Sequence, residues 1–170
     1  FFEMLFKPSC VCVLLCALVI NSYANELQIQ VYYNGSPQPN SMYLRGDNLG
    51  LNWNSGILMD VSPTNPDLWT VTLPYNASSA GQTLEMKPLK GDVSWSIGAN
   101  FKVRIPNESS SVAIYPWFWS HSGNYEVIGS VYSPQLNNTR QIVVYTPPSY
   151  YENTLKTMNN VLVMHDGQNL

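Results

Sequence analysis

The chain has 170 residues with a net charge of −3 and only 11% charged residues, so it lacks the basic surface that proteins use to bind nucleic acids. The sequence also has no cluster of lysines and arginines of the kind that attaches a protein to an anionic membrane surface. Aromatic residues make up 12% of the chain, including 5 Trp and 11 Tyr, which is typical of surfaces that bind sugars and also of β-sandwich cores.

The first part of the chain, residues 1–24, has the pattern of a secretory signal peptide. Residues 4–7 give a short, positively charged start, residues 11–20 form an apolar core, and residues 22–24 provide a cleavage site with small residues at both ends. The core is shorter than the roughly 20 apolar residues that span a bilayer. We therefore predict a translation start at Met4, cleavage after residue 24, secretion, and no membrane attachment after cleavage. An uncleaved membrane anchor is the alternative.

The cysteines of the chain, Cys10, Cys12 and Cys16, all lie in the signal-peptide segment. The mature chain would therefore have neither a disulfide framework nor a thiolate metal site. The two histidines, His121 and His165, lie far apart in the sequence, so we predict neither a metal site nor a cofactor.

Four Asn-x-Ser/Thr sequons occur where turns are expected, and together they fit a secreted eukaryotic protein. The candidate glycosylation sites are Asn34, Asn76, Asn107 and Asn137. Because a single sequon often arises by chance, this prediction rests on the four together.

Short β-rich runs separated by turn residues follow the signal peptide, and no helical period interrupts them. The runs cover residues 27–31, 41–45, 68–73, 83–87, 93–97 and 101–105. Strands of this length and spacing are typical of an all-β sandwich. We therefore predict that residues 25–115 form an antiparallel, immunoglobulin-like β-sandwich.

The composition changes after this region, and we predict a linker at residues 116–124. Two half-exposed strands are expected at 125–132 and 140–145, followed by a Pro-rich turn and a purely apolar run at 161–164. An apolar run of this kind is typical of a buried strand in a parallel sheet. Residues 125–170 are therefore expected to form the first strands of an α/β sheet. The predicted fold class of the whole chain is mainly β.

Four segments of the first region occur in an informative order: Gly50-Leu-Asn-Trp53, Leu68-Trp69-Thr-Val-Thr-Leu73, Leu84-Glu-Met-Lys87, and Val93-Ser-Trp95 followed by Gly98-Ala-Asn100. This order resembles the starch-binding family of carbohydrate-binding modules. The resemblance implies a sugar platform formed by Trp53 and Trp95, with Lys87 and Asn100 beside it and Trp69 in the core. It also implies a polysaccharide partner, either a starch-like α-glucan or another plant polysaccharide. The sequence departs from the family pattern at Leu51 in the turn and at Met86 before the lysine.

The physical chemistry of these tryptophans agrees with those roles. A sugar ring has an apolar C–H face and a rim of hydroxyls, so it is bound by an exposed aromatic ring with a few fixed polar groups. Trp53 lies between two asparagines, whereas Trp69 alternates with Val71 and Leu73 in an apolar strand. Core packing is the alternative role for either platform tryptophan.

The last part of the chain contains two motifs: a Pro-Pro-Ser-Tyr turn within residues 140–150, and a strand ending in His-Asp-Gly within residues 161–168. Together they resemble secreted esterases related to enterochelin esterase and feruloyl esterases. These are α/β-hydrolases, and the resemblance implies a serine nucleophile on a Gly-x-Ser-x-Gly elbow that lies beyond this point. No such elbow occurs in the sequence, so residues 125–170 are expected to be an N-terminal fragment without the catalytic triad. The candidate oxyanion-loop residues are His165, Asp166, Gly167 and Gln168, with a structural strand-end turn as the alternative.

These interpretations combine into one functional prediction: a secreted carboxylic-ester hydrolase with a serine acyl-enzyme mechanism and an attached carbohydrate-binding module. Its partners would be a polysaccharide and, through the missing part, an ester substrate. The alternative is a non-catalytic polysaccharide-binding protein.

Overall fold

The computed structural model describes residues 25–158 and 160–164. Within them the chain forms eleven strands and one short 3-10 helix at Ala77–Ser79. The strands are β1 (Asn25–Tyr32), β2 (Met42–Gly46), β3 (Ile57–Leu58), β4 (Asp60–Ser62), β5 (Asn65–Tyr75), β6 (Thr83–Lys90), β7 (Ser94–Trp95), β8 (Phe101–Arg104), β9 (Ser110–Ile114), β10 (Asn124–Ser133) and β11 (Asn138–Thr146). The predicted signal peptide lies outside the described residues. In the described part of the chain, no helix has the length and apolar character needed to cross a bilayer.

Strands β1 to β9 form two sheets. One has the order β4-β5-β1-β9, and the other has the order β3-β2-β6-β7 with β8 also paired to β6. The pairs are antiparallel apart from β1 and β9, which run parallel from Leu27 opposite Ser110 to Val31 opposite Ile114. The prediction of a mainly β fold is therefore confirmed, with one parallel edge strand added to it.

A single hydrophobic core lies between the two sheets and explains why they pack. Along β1, Leu27, Ile29 and Val31 are fully buried while the residues between them are not, because successive side chains of a strand point to opposite faces. The same alternation buries Met42 and Leu44 on β2, and all of these side chains belong to one cluster. Burial of each large aliphatic side chain stabilises the fold by about 1.5–3 kcal/mol.

Trp69 occupies the core, as predicted. It is 6% exposed and lies on β5 opposite Val31 of β1 and Val61 of β4. Among the described residues, its buried indole N–H has no hydrogen-bond partner. The ring therefore contributes to the fold through packing rather than through a polar contact.

Three strands escaped the sequence analysis because their patterns are weak. β3 and β4 have only two and three residues, so neither is long enough to show alternation. β9 begins with two exposed serines in a polar stretch, yet it pairs along β1 as an edge strand. Backbone pairing defines β3 and β4, and in β9 it is joined by burial of Ile114 at the end of the strand.

The strands predicted at 125–132 and 140–145 form the antiparallel ribbon β10–β11, which has an irregularity in register between Ile128 and Ser130. The prediction of a buried strand at 161–164 is wrong. Val161 is 88% exposed, and the described residues 160–164 pair with no strand. An apolar run becomes a buried strand only where neighbouring strands satisfy its backbone groups. The domain boundaries at 115 and 125 stay a prediction.

Replacing Trp69 with alanine is expected to lower the free energy of unfolding by about 3–5 kcal/mol, because truncating a buried aromatic leaves a cavity. Urea unfolding followed by circular dichroism measures this change. Val93→Ala is the control, since Val93 is 79% exposed and its loss is expected to change stability by less than about 0.5 kcal/mol. A Trp69→Ala protein as stable as the wild type would contradict the core assignment.

Candidate functional site

The outer face of sheet β3-β2-β6-β7 is the side turned away from the core. Arg45 on β2 lies opposite Lys87 on β6, and Leu89 on β6 lies opposite both Tyr43 and Trp95. Opposed residues of an antiparallel pair share a face, as do residues two apart on one strand. The register therefore places these five residues together on the outer face, where Leu89 is fully buried although it lies outside the core cluster.

Trp53 and Trp95 are neighbours on this face and are called the tryptophan pair below. Their ring centroids are 6.2 Å apart and the rings are inclined by 36°. Trp95 is 40% exposed, and Trp53 is half-buried. The loop that carries Trp53 is anchored before the ring by buried Leu51, and it is closed around the ring by Asn52, whose Oδ1 accepts hydrogen bonds at 2.9 Å from the N–H groups of residues 54 and 55.

Arg45 joins the two tryptophans, a role that the sequence analysis missed. Its guanidinium carbon lies 5.2 Å from the Trp95 ring centroid, within the range of a cation–π contact. Its Nη1 donates a hydrogen bond to the backbone oxygen of Trp53 at 3.0 Å. Arg45 therefore contacts one tryptophan through its ring and the other through its backbone.

Asp92 holds Arg45 in place. The Asp92 Oδ1 accepts from Arg45 Nε at 2.8 Å, and the Asp92 backbone oxygen accepts from Nη2 at 2.9 Å. Asp92 lies in the three-residue connection between β6 and β7, where Gly91 and Asp92 have φ values of 59° and 57° and the N–H of Val93 donates to the oxygen of Lys90 at 3.3 Å. Left-handed backbone at both central positions is typical of tight hairpins, and aspartate and glycine tolerate it better than other residues.

The charges of this group are balanced. The hydrogen bond from Arg45 lowers the pKa of the Asp92 carboxyl, and the N–H of Gly56, which donates to Asp92 Oδ2 at 3.2 Å, lowers it further. Partial burial acts in the opposite direction. The same pair raises the pKa of Arg45. Asp92 and Arg45 are therefore both ionised at neutral pH and neutralise each other.

The other two predicted platform residues have different surroundings. Lys87 is half-buried, and its Nζ donates a hydrogen bond to the backbone oxygen of Gly98 at 2.7 Å. Asn100 donates instead to Glu85 at 3.3 Å, and Glu85 also forms an ion pair with Lys102. The hydrogen bond from Lys102 lowers the pKa of Glu85, and the one from Asn100 adds to this effect. Lys87 thus shares a face with Arg45, and Glu85, two residues earlier on β6, shares that face and brings Asn100 to it through their hydrogen bond.

The remaining predicted sites are distributed over the surface. Asn76, Asn107 and Asn137 are exposed. Asn34 is half-buried, and its amide exchanges two hydrogen bonds with Thr154, at 2.7 and 3.1 Å. In the described ranges, no three His, Cys, Asp or Glu side chains are grouped closely enough to hold a metal ion. The predicted oxyanion-loop residues His165, Asp166, Gly167 and Gln168 lie outside the described residues.

The tryptophan pair is a surface feature rather than a cavity. Two open clefts in the described residues, with volumes of about 430 and 390 Å³, lie elsewhere, the first between residues 48–50 and 71–76 and the second between residues 26–28 and 109–111. Neither is lined by Trp53 or Trp95. A ligand of the outer face would therefore lie on the rings, not inside a pocket.

No protein-family model matches the sequence, and no curated protein matches it significantly. Among solved structures, the chain is similar to CBMd (family CBM41) from Eubacterium rectale Amy13K. The two share 16% sequence identity, the similarity covers 56% of this chain and 96% of that chain, and the TM-score is 0.38. At that TM-score the likeness carries no argument about a ligand, so the chemistry of the outer face must carry any functional proposal.

Acidification is expected to disrupt the tryptophan pair through Asp92. Because the pKa of Asp92 is lowered from its ordinary value of 3.8, the contribution of its ion pair with Arg45 is fully present above that value and is lost as the pH falls through the lowered one. Circular dichroism reports this as loss of the exciton couplet between Trp53 and Trp95.

Asp92→Asn should weaken the same couplet at neutral pH and remove its acid transition. Asp60→Asn, which changes an exposed carboxylate on β4, should leave both unchanged. An unaltered acid transition in Asp92→Asn would show that another group controls the pair.

Proposed function

We propose that the chain binds a polysaccharide on its outer face through the tryptophan pair. The observation that carries this proposal is the geometry of Trp53 and Trp95, which come from different segments and lie 6.2 Å apart at the surface. Arg45 and Asp92 hold this arrangement without ligand. Large aromatic rings kept at a surface by a dedicated ion pair indicate a binding role, because a purely structural indole would gain more by burial.

The polar groups around the pair favour an uncharged ligand. Arg45 is neutralised by Asp92, and Glu85 is neutralised by Lys102. Lys87 has donors beyond the one used with Gly98, since an ammonium carries three N–H groups. A hydroxyl-rich sugar can accept from such a donor while its C–H face stacks on an indole.

The inclination of the rings favours a curved chain of sugars. Two sugar units stacked on rings inclined by 36° must themselves be turned relative to each other. A starch-like α-glucan curves in this way, whereas a flat, ribbon-like β-glucan does not. We therefore propose an α-glucan as the ligand, in line with the resemblance of the Trp53–Asn100 segments to starch-binding modules.

The test is titration of the protein with β-cyclodextrin, followed by tryptophan fluorescence. We expect quenching with a dissociation constant between about 1 μM and 1 mM, which corresponds to roughly −8 to −4 kcal/mol. Trp53→Ala and Trp95→Ala should each remove most of the binding and leave the melting temperature nearly unchanged, because neither ring belongs to the core cluster.

Trp69→Ala is the matched control for these variants, because it removes the same ring from the core. At temperatures where it is folded, it should keep its affinity despite lower stability. Unfolding of Trp53→Ala would make Trp53 a core residue and refute the platform. Binding of a cello-oligosaccharide but not β-cyclodextrin would refute the α-glucan assignment alone.

We propose as a second function that of a secreted carboxylic-ester hydrolase. It is supported by the motifs at residues 140–150 and 161–168, which resemble secreted esterases. Residues 147–150 form a turn in which the N–H of Tyr150 donates to the oxygen of Pro147 at 3.0 Å. If the protein is instead a non-catalytic polysaccharide-binding protein, sugar binding at the tryptophan pair is its whole function.

Residues 25–170 alone are expected not to hydrolyse p-nitrophenyl acetate above the buffer rate, because the sequence contains no nucleophile elbow. Release of p-nitrophenol measured by absorbance provides the test. Turnover that a serine-directed phosphonate abolishes would contradict this prediction and reveal a nucleophile of another kind.

A further inference from the structure

Residues 147–156, called the strap below, return to the sandwich after the β10–β11 ribbon. The strap is compact, because the N–H of Asn153 donates to the oxygen of Ser149 at 3.0 Å and the N–H of Lys156 donates to the oxygen of Asn153 at 3.3 Å. Ser149, Glu152 and Asn153 are polar yet buried, with 3%, 3% and 1% exposure. Burial of so many polar groups is costly without partners, so their contacts define what the strap does.

Glu152 connects the end of the first strand with the segment before the ribbon. Its Oε1 accepts from the hydroxyl of Tyr33 at 2.9 Å and from the N–H of Phe118 at 2.7 Å, and its Oε2 accepts from the N–H of Trp119 at 2.8 Å. Hydrogen bonds to an ionised carboxylate are stronger than neutral ones. One buried carboxylate therefore fixes two separate parts of the chain.

Asn153 repeats the same connection with its amide. Its Nδ2 donates to the backbone oxygen of Tyr32 at 2.8 Å and to that of Pro116 at 2.9 Å. The strap thus contacts residues 32–33 and residues 116–119 through two adjacent side chains. Loss of either side chain would leave buried backbone groups without a partner, which costs more than the bond itself contributes.

Lys90 links this buried group to the outer face. Its Nζ donates to the Tyr33 hydroxyl at 2.6 Å and lies 4.3 and 4.4 Å from the ring centroids of Tyr33 and Phe118. Burial lowers the pKa of Lys90, and the charge of Glu152 opposes that effect. Burial and the contact with Glu152 raise the pKa of Tyr33, so its hydroxyl remains a donor. Lys90 is also the first residue of the turn that contains Asp92, the partner of Arg45.

A second series of contacts runs from the strap through Trp117. This residue lies between Pro116, which Asn153 contacts, and Phe118, which Glu152 contacts. The backbone oxygen of Trp117 accepts from the N–H of Ile97 at 2.7 Å. Its ring lies so close to Gly98 that a Cβ there would be 2.7 Å from it. Gly98 in turn accepts the hydrogen bond from Lys87. The two paths therefore reach the chain just before and just after β7, the strand that ends in Trp95.

We propose that Glu152 and Asn153 are positioning residues for the outer face, and that the strap holds both ends of β7 so that Trp95 lies against Trp53 in the geometry that receives a sugar. The inference rests on the proposed function for its ligand, but the position of the rings can be measured without one. Neither residue would touch the sugar.

The experiment compares Glu152→Gln with the wild type in the full chain. Glutamine keeps the shape of glutamate but turns one acceptor into a donor, which opposes the N–H of Phe118 or Trp119. We expect a weaker exciton couplet from the tryptophan pair and a loss of β-cyclodextrin affinity of about two- to thirtyfold, measured well below the melting temperature. Glu126→Gln, an exposed carboxylate on β10, should change neither.

Trp117→Leu provides a second variant that leaves the buried charge intact and shortens the ring against Gly98. It should weaken the couplet and the affinity in the same direction, and it decides the question if Glu152→Gln does not fold. A folded variant with a wild-type couplet and affinity would overturn the proposal and leave the strap a purely structural element. If the wild type binds no sugar, the proposed function fails, while the couplet still decides the role of the strap.

Discussion

The ion pair between Arg45 and Asp92 is the interaction on which the outer face depends. The two tryptophans come from a loop and from a two-residue strand with no buried residue. Arg45 can contact both because a guanidinium carries five donors in a rigid plane. It uses two toward Asp92 and one toward the oxygen of Trp53, and its flat face remains available to Trp95. Asp92 can play its part because the Gly-Asp turn places it beside the sheet, and mutual neutralisation leaves the rings, rather than a charge, as the dominant feature of the surface.

The sandwich could be predicted from the sequence wherever a strand has one buried and one exposed face. β1 shows why: Leu27, Ile29 and Val31 alternate with polar residues, so period and burial agree. The same rule failed for 161–164, whose four apolar residues satisfy the pattern of a buried strand but have no neighbouring strand among the described residues. Burial in a parallel sheet is a property of the neighbours rather than of the segment. For β9 the rule missed a strand that exists, because the backbone of β9 pairs with β1 although its serines show no alternation of apolar and polar residues.

The candidate site was only partly visible in the sequence for a similar reason. Trp53 and Trp95 are conspicuous because a tryptophan is rare and has few uses on a surface. Arg45 was not, because an arginine in an alternating strand is usually a solvated side chain, and only the turn containing Asp92 gives it another role. Glu152 left no local signal at all. Its partner Tyr33 lies 119 residues earlier in the chain, and no pattern within either segment predicts that contact.

The buried polar group around Glu152 also constrains how the chain can be divided. Tyr33 is fully buried, and its hydroxyl lies between Lys90 of the sandwich and Glu152 of the strap. A sandwich without the strap would lose the carboxylate that accepts hydrogen bonds from the Tyr33 hydroxyl and from the N–H groups of Phe118 and Trp119, and polar groups that lose a buried partner cost more free energy than a missing surface contact. The strap is therefore more than a connection toward later residues. Any functional unit that includes the tryptophan pair in its observed geometry has to include Glu152 as well, because the contacts that satisfy Glu152 are the ones that reach both ends of β7.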